Sequence, residues 1–324
     1  GVETESLPLP DRNDEIPERG YLSKEMDTRE SVVLSACEKL GVTPNILFTG
    51  LFGVLMTRYS NSEDSLFATI YNGRNDSRLE NTVCMLVKTL PVYCSCDPKA
   101  TIQTYMTELS EQLLSSMAND IFPFSDICAK YGFSSDLVFA YQAELSDDYP
   151  IGDTIARGHD LSPDMSKMPL LIQVREYDHK YVLTAEYRSD KYSEEFVKGI
   201  LDAYEAAMDS MLKAKYISEI SILSGNAAEK IAEFNHTAQE YDRSQTISDM
   251  FDEMVEIIPD HTAVVFKDRK YTYKELDEIS DRLGKYIVSQ GIGTEDVVSI
   301  LIPRCEYMAI APMGVIKAGA AYQP

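Results

Sequence analysis

Gly314-Val315-Ile316-Lys317-Ala318-Gly319-Ala320-Ala321-Tyr322-Gln323-Pro324 decides how the C-terminal part of this sequence is read. An apolar helix runs into small residues, then an aromatic and a proline. Gly319 has no Cβ and so admits a close contact or a positive φ; Pro324 cannot continue a helix. The stretch predicts a helix, a tight turn and the start of a new element, as expected of a sequence that stops inside a domain. Just upstream, residues 297–302 predict a strand, with a helix following to residue 318. Residues 263–266 and 270–272 predict two further strands, and residues 246–258 a helix stopped by Pro259. Thr272-Tyr273-Lys274-Glu275 is a capping box, in which threonine and glutamate each satisfy an orphan amide. Leu276, Ile279, Leu283 and Ile287 then recur at helical spacing as far as Gly291. Alternation of this kind predicts a parallel α/β sheet.

Farther upstream the pattern changes. Residues 1–27 are polar and proline-bearing, and Leu7-Pro8-Leu9-Pro10 disfavours helix. A helix is predicted from Thr28, as N-cap, to residue 40, with Gly41 at its end. Thr43-Pro44 starts a second helix reaching residue 59, apolar nearly all round and therefore buried. Residues 65–71 predict a strand ended by Asn72-Gly73, and residues 83–96 a long second strand. Residues 99–118 are amphipathic, with Ile102, Tyr105, Met106, Leu109, Leu113 and Met117 on one face. A strand is predicted over 136–142, a long acidic loop over 143–168, and a hairpin over 169–177 and 181–188 about Asp178-His179. Ser193 caps a helix reaching residue 212. Residues 213–245 turn small and polar, broken by a short helix near 227–234, and read as a linker.

With 324 residues, about two domains are expected. The net charge of −23 sets a field that repels phosphate backbones and anionic lipid, which argues against nucleic-acid and membrane-surface partners. The longest apolar runs, 46–56 and 308–317, fall short of the roughly 20 residues that span a bilayer. The six cysteines show no disulfide framework, so a cytoplasmic, reduced protein is expected. Cys94-Ser95-Cys96 reads as two thiols on one strand face, without the second Cys or His pair that a zinc site needs.

Chemistry-bearing motifs are scarce. Gly314 and Gly319 have phosphate-loop spacing, but Ala320-Ala321 follow where Lys-Ser/Thr is required; Gly291-Ile292-Gly293 lacks a third glycine and follows a helix. No nucleophile elbow occurs. His159, His179, His236 and His261 are dispersed over predicted loops and read as solvated residues, with His159, beside Asp160, the most suggestive.

Two segments resemble the adenylation domain of nonribosomal peptide synthetases. Tyr271-Thr272-Tyr273-Lys274-Glu275-Leu276 resembles its first core motif. Ile316-Lys317-Ala318-Gly319-Ala320-Ala321-Tyr322-Gln323-Pro324 resembles its second, with Ile302-Pro303-Arg304 where the family has that tripeptide and Phe234-Asn235-His236-Thr237-Ala238 resembling the start of the domain. Pro312 departs from the family pattern and predicts a kink. The upstream part resembles the C-terminal lobe of a condensation domain. Leu7-Pro8-Leu9-Pro10-Asp11-Arg12 looks like the segment joining its two lobes, and Asn72-Gly73-Arg74 matches a turn. Residues 83–92 resemble Ile-Gly-x-Phe-Val-Asn-Thr-Leu-Pro, with Cys84 for glycine and Lys88 for asparagine. Phe122-Pro123-Phe124 resembles Tyr-Pro-Phe, with Asn119-Asp120-Ile121 replacing His-Gln-Asp. Residues 137–142 match a core strand, without the arginines that usually precede it.

The resemblance implies an α/β fold: a chloramphenicol-acetyltransferase-like lobe, a mixed sheet packed with helices, and then the start of an adenylate-forming α/β domain. It implies a condensation lobe over 1–224 (with 1–27 the inter-lobe segment), a linker over 225–245 and the N-terminal part of an adenylation domain over 246–324. The implied parent joins carrier-bound phosphopantetheinyl thioesters and activates an amino acid with ATP and Mg²⁺. No cofactor or metal is expected on these residues themselves. The implied partners are the N-terminal condensation lobe, the remainder of the adenylation domain and peptidyl carrier domains. The family's His-His-x-x-x-Asp-Gly catalyst is not among these residues, and its phosphate loop and catalytic lysine belong beyond Pro324, so no catalytic residue is assigned. Met85, Lys88 and Thr89 are candidates to line the acceptor tunnel, or else form a plain core strand with Lys88 at its solvated end. Tyr271, Thr272, Tyr273, Glu275, Leu276, Lys317, Ala318, Gly319, Tyr322 and Pro324 enter as structural motif residues. The alternative is a degenerate, non-catalytic lobe that docks carrier or adenylation domains, suggested by the departures at Cys84, Lys88 and Asn119. A lone acyl-CoA-dependent acyltransferase would need the histidine motif.

Overall fold

In the computed structural model, residues 6–14, 16–74, 77–79, 82–133, 136–143, 148–157 and 166–324 are described. The chain divides into two units, Gly1–Asn235 and His236–Pro324. In the first, β1 (Arg19–Glu25) is followed by α1 (Glu30–Leu40), α2 (Pro44–Ser60), β2 (Asp64–Tyr71), β3 (Lys88–Ser95), α3 (Ile102–Ala118), α4 (Phe124–Tyr131) and β4 (Leu137–Gln142). Then come β5 (Asp148–Ile151), β6 (Thr154–Arg157), β7 (Leu170–Tyr177), β8 (Lys180–Arg188), α5 (Glu194–Met211) and α6 (Gly225–Phe234). Six strands form one mixed sheet in the order β1-β8-β7-β4-β2-β3. β4 runs parallel to both β2 and β7, and the remaining pairs are antiparallel.

The core forms where α2 crosses the sheet. Apolar nearly all round, α2 is buried from Ile46 to Thr57; such a helix has no stable place at a surface. Thr43 caps it by accepting from the Ile46 amide, with Pro44 at the first helical position. Phe52 of α2 meets Phe67 of β2 edge-on and stacks on Phe139 of β4. Two buried phenols fasten the flanking helices to α2: Tyr105 of α3 donates to the Gly50 carbonyl, and Tyr204 of α5 to that of Phe48, both at 2.8 Å. Each bond satisfies a phenol that burial would otherwise leave without water.

The hairpin of β7 and β8 turns at Asp178 and His179, both at positive φ as its two-residue turn requires. Ser193 caps α5 and Thr101 caps α3, so α3 starts later than the expected 99. Thr28 does not cap α1. Its hydroxyl turns to Asp209 on α5, and Arg29 takes the N-cap position without a side-chain bond. The expected strand over 83–96 begins only at Lys88, because Tyr71 opposite Lys88 is the last residue of β2 in the ladder and Asn72-Gly73 leads the chain away. Residues 83–87 have no strand partner. The expected loop over 143–168 contains the β5–β6 hairpin, turned at Gly152 with φ +59°; residues 144–147 and 158–165, with His159, lie outside the described residues. Residues 213–224 belong to the first core, since Ile217 and Ile220 are buried in it. The change to small polar composition at 213 is therefore no boundary.

In the second unit follow α7 (Ile247–Ile257), β9 (Thr262–Phe266), β10 (Arg269–Thr272), α8 (Tyr273–Ser289), β11 (Val297–Ser299), α9 (Tyr307–Lys317) and β12 (Ala321–Gln323). β9 and β10 form an antiparallel hairpin, while β11 and β12 pair in parallel, joined through α9. Pro312 lies inside α9. Phe251, Leu276 and Ile310 form one small core, and Ile287, Val315, Ala318 and Ala320 another. Among the described residues, no single helix is long and apolar enough to cross a membrane.

Candidate functional site

The site grows from the end of β2. Its odd residues, Ser65, Phe67, Thr69 and Tyr71, are buried beneath the helices, and β3 pairs with it from Asp64↔Ser95 to Tyr71↔Lys88. Beyond this pair Gly73 has φ +69°, and a Cβ built there would lie 2.0 Å from the Leu86 carbonyl oxygen. Only glycine fits that approach. Asn72 accepts from the Arg74 amide at 3.0 Å. The Arg74 guanidinium donates to the carbonyls of Leu79, Thr82 (3.0 Å) and Cys84 (3.3 Å). Asn72-Gly73-Arg74, legible in the sequence only as a motif match, is thus the hub to which Leu79, Thr82 and Cys84 are tied.

The tunnel candidates separate. Met85 lies in the coil before β3, with 90% of its surface exposed. Lys88 and Thr89 are neighbours on β3 and so point to opposite faces. Lys88 shares the helix-covered face with Leu90, Val92 and Cys94; its Nζ lies 2.9 Å from both the carbonyl oxygen and a carboxylate oxygen of Asp120, in the connection between α3 and α4. Asp120 is the partner that sequence reasoning missed; no spacing rule joins positions 32 residues apart. Tyr71, directly across from Lys88, is buried, and its hydroxyl has no hydrogen-bond partner among the described residues. Burial first, and the Asp120 carboxylate second, push this phenol above its ordinary range.

Thr89 faces the other side of the sheet. Ser23↔Thr184, Thr184↔Gln173, Gln173↔Ala140 and Ile70↔Thr89 are ladder pairs; with the β2–β4 register they form one cross-strand row. At the β1–β8–β7 end of this row a cavity of about 210 Å³ is lined by Tyr21, Ser23, Gln142, Arg175, Tyr177 and Thr184, among others. Gln173 donates to the Gln142 side-chain oxygen at 2.7 Å across its rim. The polar members of this row, Ser23, Thr184, Gln173 and Thr89, are interrupted by Ala140 and Ile70, and the Glu176 carboxylate also lines the cavity; such groups can order a polar chain by hydrogen bonds.

Among the described residues, two neighbouring thiols and one imidazole are accounted for. Cys94 and Cys96 are both buried and free, and desolvation pushes the Cys94 thiol up to about 11 and Cys96 higher still. His179 contacts Glu30 at 2.9 Å. Among the described residues no group of three or more His, Cys, Asp or Glu is arranged to hold a metal.

In the second unit the motif residues are structural in geometry. Thr272 accepts from the Glu275 amide (3.1 Å), and Glu275 accepts from the Thr272 amide (2.8 Å), closing the capping box. Tyr271 pairs with Val264, Tyr273 approaches the Phe251 ring and Leu276 is buried. Lys317 donates to Asp277 and Asp281, with Asp252 3.9 Å away and the Phe251 ring 5.3 Å away. Ala318 ends α9, Gly319 follows at φ +78°, Tyr322 pairs with Val298 in the parallel ladder, and Pro324 follows β12. As a nucleotide site these residues do not fit: Lys317 is engaged by carboxylates and Arg269 by Glu306, and no unpartnered buried polar side-chain atom lies in this unit among the described residues.

The Condensation domain family matches residues 3–232, and the AMP-binding enzyme family residues 251–324. Gramicidin S synthase 2 of Brevibacillus brevis is 27% identical over 88% of this chain, which covers 7% of that protein. Tyrocidine synthase 2 of Brevibacillus parabrevis is 25% identical, over 94% of this chain and 9% of its own length. The chain thus spans a small part of these relatives. Among solved structures, a four-domain nonribosomal peptide synthetase bound to AMP and glycine superposes on 99% of the chain with TM-score 0.68 at 19% identity, using 26% of that structure. The condensation domain of the Monacolin K polyketide synthase MokA matches 69% of the chain with TM-score 0.56 at 12% identity, over 55% of its own chain. With its mixed sheet and helix-covered core, this chain belongs to the Condensation domain family, and its C-terminal part matches the AMP-binding enzyme family.

Proposed function

We propose that this chain supplies one lobe of a condensation centre and the first part of an adenylation domain, and that each catalytic group comes from another segment of a longer synthetase. The observation that carries this reading is the sheet. Its helix-covered face is a closed apolar core, whereas the opposite face carries an open cavity lined by polar groups such as Ser23, Gln142, Arg175 and Thr184. A condensation domain matched over only about half its length leaves room for a second lobe against such a face. In this reading the parent uses ATP, Mg²⁺ and carrier-bound phosphopantetheine, and Thr89 with the row from Ser23 to Ile70 borders the acceptor substrate. Lys88 and Met85 take no direct part, being held by Asp120 and displaced into the coil respectively. Binding in such a cleft raises rate by holding amine and thioester together.

Purified residues 1–324 should show neither ATP–pyrophosphate exchange nor peptide-bond formation. Appreciable exchange would overturn the division of labour. An aminoacyl-pantetheine analogue should shift the resonances of Thr89 and Thr184 in a protein that also carries the second lobe; unchanged resonances would remove the acceptor role. The second reading, a docking lobe without catalysis, draws on the departures at Cys84, Lys88 and Asn119, and condensation measured in the complete synthetase would end it.

A further inference from the structure

β3 closes one side of the six-stranded sheet and pairs with β2 alone. Two sets of bonds fix which way its main chain points. The Cys96 amide donates to the Glu63 carbonyl at 2.9 Å, so Cys96, and Cys94 with it, turn toward β2. Leu66, opposite Tyr93, turns the other way: its amide donates to the Ser6 hydroxyl at 3.0 Å and its carbonyl accepts from the Ser6 amide at 2.8 Å. Main-chain groups alternate along a strand, so those of Tyr93 and Ser95 point away from the sheet. They take no main-chain bond among the described residues, and both residues are exposed. Pro91 blocks the preceding outward position, as edge strands commonly arrange; nothing blocks 93 and 95.

Between this edge and α3 lies a cavity of about 160 Å³, bordered by Tyr93 and Ser95 on the strand and by Tyr105, Glu108 and Gln112 on the helix. Sites for drug-sized ligands run to about 300–1,000 Å³; this one has the size of a side chain. The Gln112 side-chain oxygen is buried and has no hydrogen-bond partner among the described residues. Glu108 stands one turn before it on the same face of α3. Two acceptors so placed, one of them charged, suit a cation with several N–H donors. A guanidinium presents its donors in a planar fork, an ammonium about a point. The net charge of −23 favours the same sign of partner.

We propose that the edge of β3 at Tyr93 and Ser95 docks an extended, arginine-bearing peptide, which adds to the sheet as a further strand and sends its guanidinium into the cavity to meet Gln112 and Glu108. Main-chain bonds to Tyr93 and Ser95 hold the strand, and the cavity selects the side chain. Every second side chain of an added strand lies on the helix-covered face, which is where the cavity opens. Nothing in this contact depends on whether the lobe condenses anything, so its failure and that of the proposed function are distinguishable.

The probe is the acetylated, amidated peptide Thr-Val-Arg-Val-Thr, added in excess to the isotope-labelled chain. Amide exchange at Tyr93 and Ser95 should slow about tenfold or more, and the Gln112 side-chain amide should shift. The same peptide with citrulline for arginine keeps the strand but loses the charge, and should bind about tenfold more weakly. Methylation of the peptide nitrogens that face β3 should remove the protection. Gln112→Leu should weaken the arginine peptide about tenfold and leave the citrulline peptide within about twofold. Should that variant not fold, the two altered peptides decide on the unchanged chain. Equal binding of the citrulline peptide, no protection at Tyr93 and Ser95, or agmatine alone shifting Gln112 as strongly as the peptide would overturn the proposal. So would protection that grows with protein concentration in the absence of peptide, the mark of a second copy of this chain on the edge.

Discussion

Lys317, in the last turn of α9, donates to Asp277 and Asp281, which stand one turn apart on α8. The lysine side chain is 10% exposed, and its charge also favours the C-terminal end of its own helix. One residue of a sequence motif thereby joins α8 to α9 directly before the chain enters β12.

Replacing this lysine should loosen the second unit. Lys317→Met keeps the packing of the stem but leaves Asp277, Asp281 and Asp252 mutually repelling. After allowance for the exposure of the aspartates, a loss of about 1–2 kcal/mol is expected, read as faster hydrogen exchange in α8 and α9 with the first unit unchanged.

The same cluster sets a pH dependence. Hydrogen bonding to Lys317 lowers Asp281 below its ordinary 3.8. Its contribution is therefore complete above that value and lost as pH falls through the lower folded value. Burial opposes the charge on Lys317, but hydrogen bonds to Asp277 and Asp281 outweigh it and raise the lysine above its ordinary 10.5. That contribution is present below 10.5 and is lost as pH rises through the folded value. The stability of the second unit, measured by chemical denaturation against pH, should fall at both extremes, and Lys317→Met should remove this lysine's part of the alkaline loss.

Gly73→Ala and Gly41→Ala separate crowding from backbone strain. Both glycines have positive φ, but a Cβ at Gly41 meets nothing within 4 Å, while one at Gly73 meets the Leu86 carbonyl. Gly41→Ala should cost about 1 kcal/mol, and Gly73→Ala clearly more, roughly 2–4 kcal/mol. Thermal denaturation ranks them, and equal costs would contradict the close approach.

Thiol accessibility gives a further check. Cys84 is exposed, Cys128 and Cys305 are intermediate, and Cys37, Cys94 and Cys96 are buried. Desolvation raises Cys37 and Cys94 to about 11, so neither carries much thiolate near neutrality. A mild alkylating agent at pH 8 should label Cys84 first, and Cys84→Ser should remove the fast phase. Early labelling of Cys94 would contradict the packing beneath α3.

Tyr105 tests the fastening of α3. Tyr105→Phe leaves the ring but removes its bond to the Gly50 carbonyl; about 1 kcal/mol should be lost in chemical denaturation.

Local signals in the sequence determined most of the elements. Thr43-Pro44, Ser193 and Thr272-Tyr273-Lys274-Glu275 start their helices because a cap acts over three residues, and Asp178-His179 turns its hairpin because two positive-φ residues suffice. The apolar α2 and the motif ending at Pro324 told of a buried helix and an α/β start for similar reasons. What tertiary structure decided is whatever depends on a partner distant in the chain. Thr28 has the chemistry of a cap, yet Asp209 takes its hydroxyl. Residues 83–87 have the composition of a strand, yet β2 has already turned away. Met85, Lys88 and Thr89 are consecutive enough to suggest one wall, yet the pleat and the ladder's end send them three ways. Whether a lysine is a substrate contact or a fastener depends on which carboxylate lies within hydrogen-bonding reach, and only the fold brings Asp120 to Lys88.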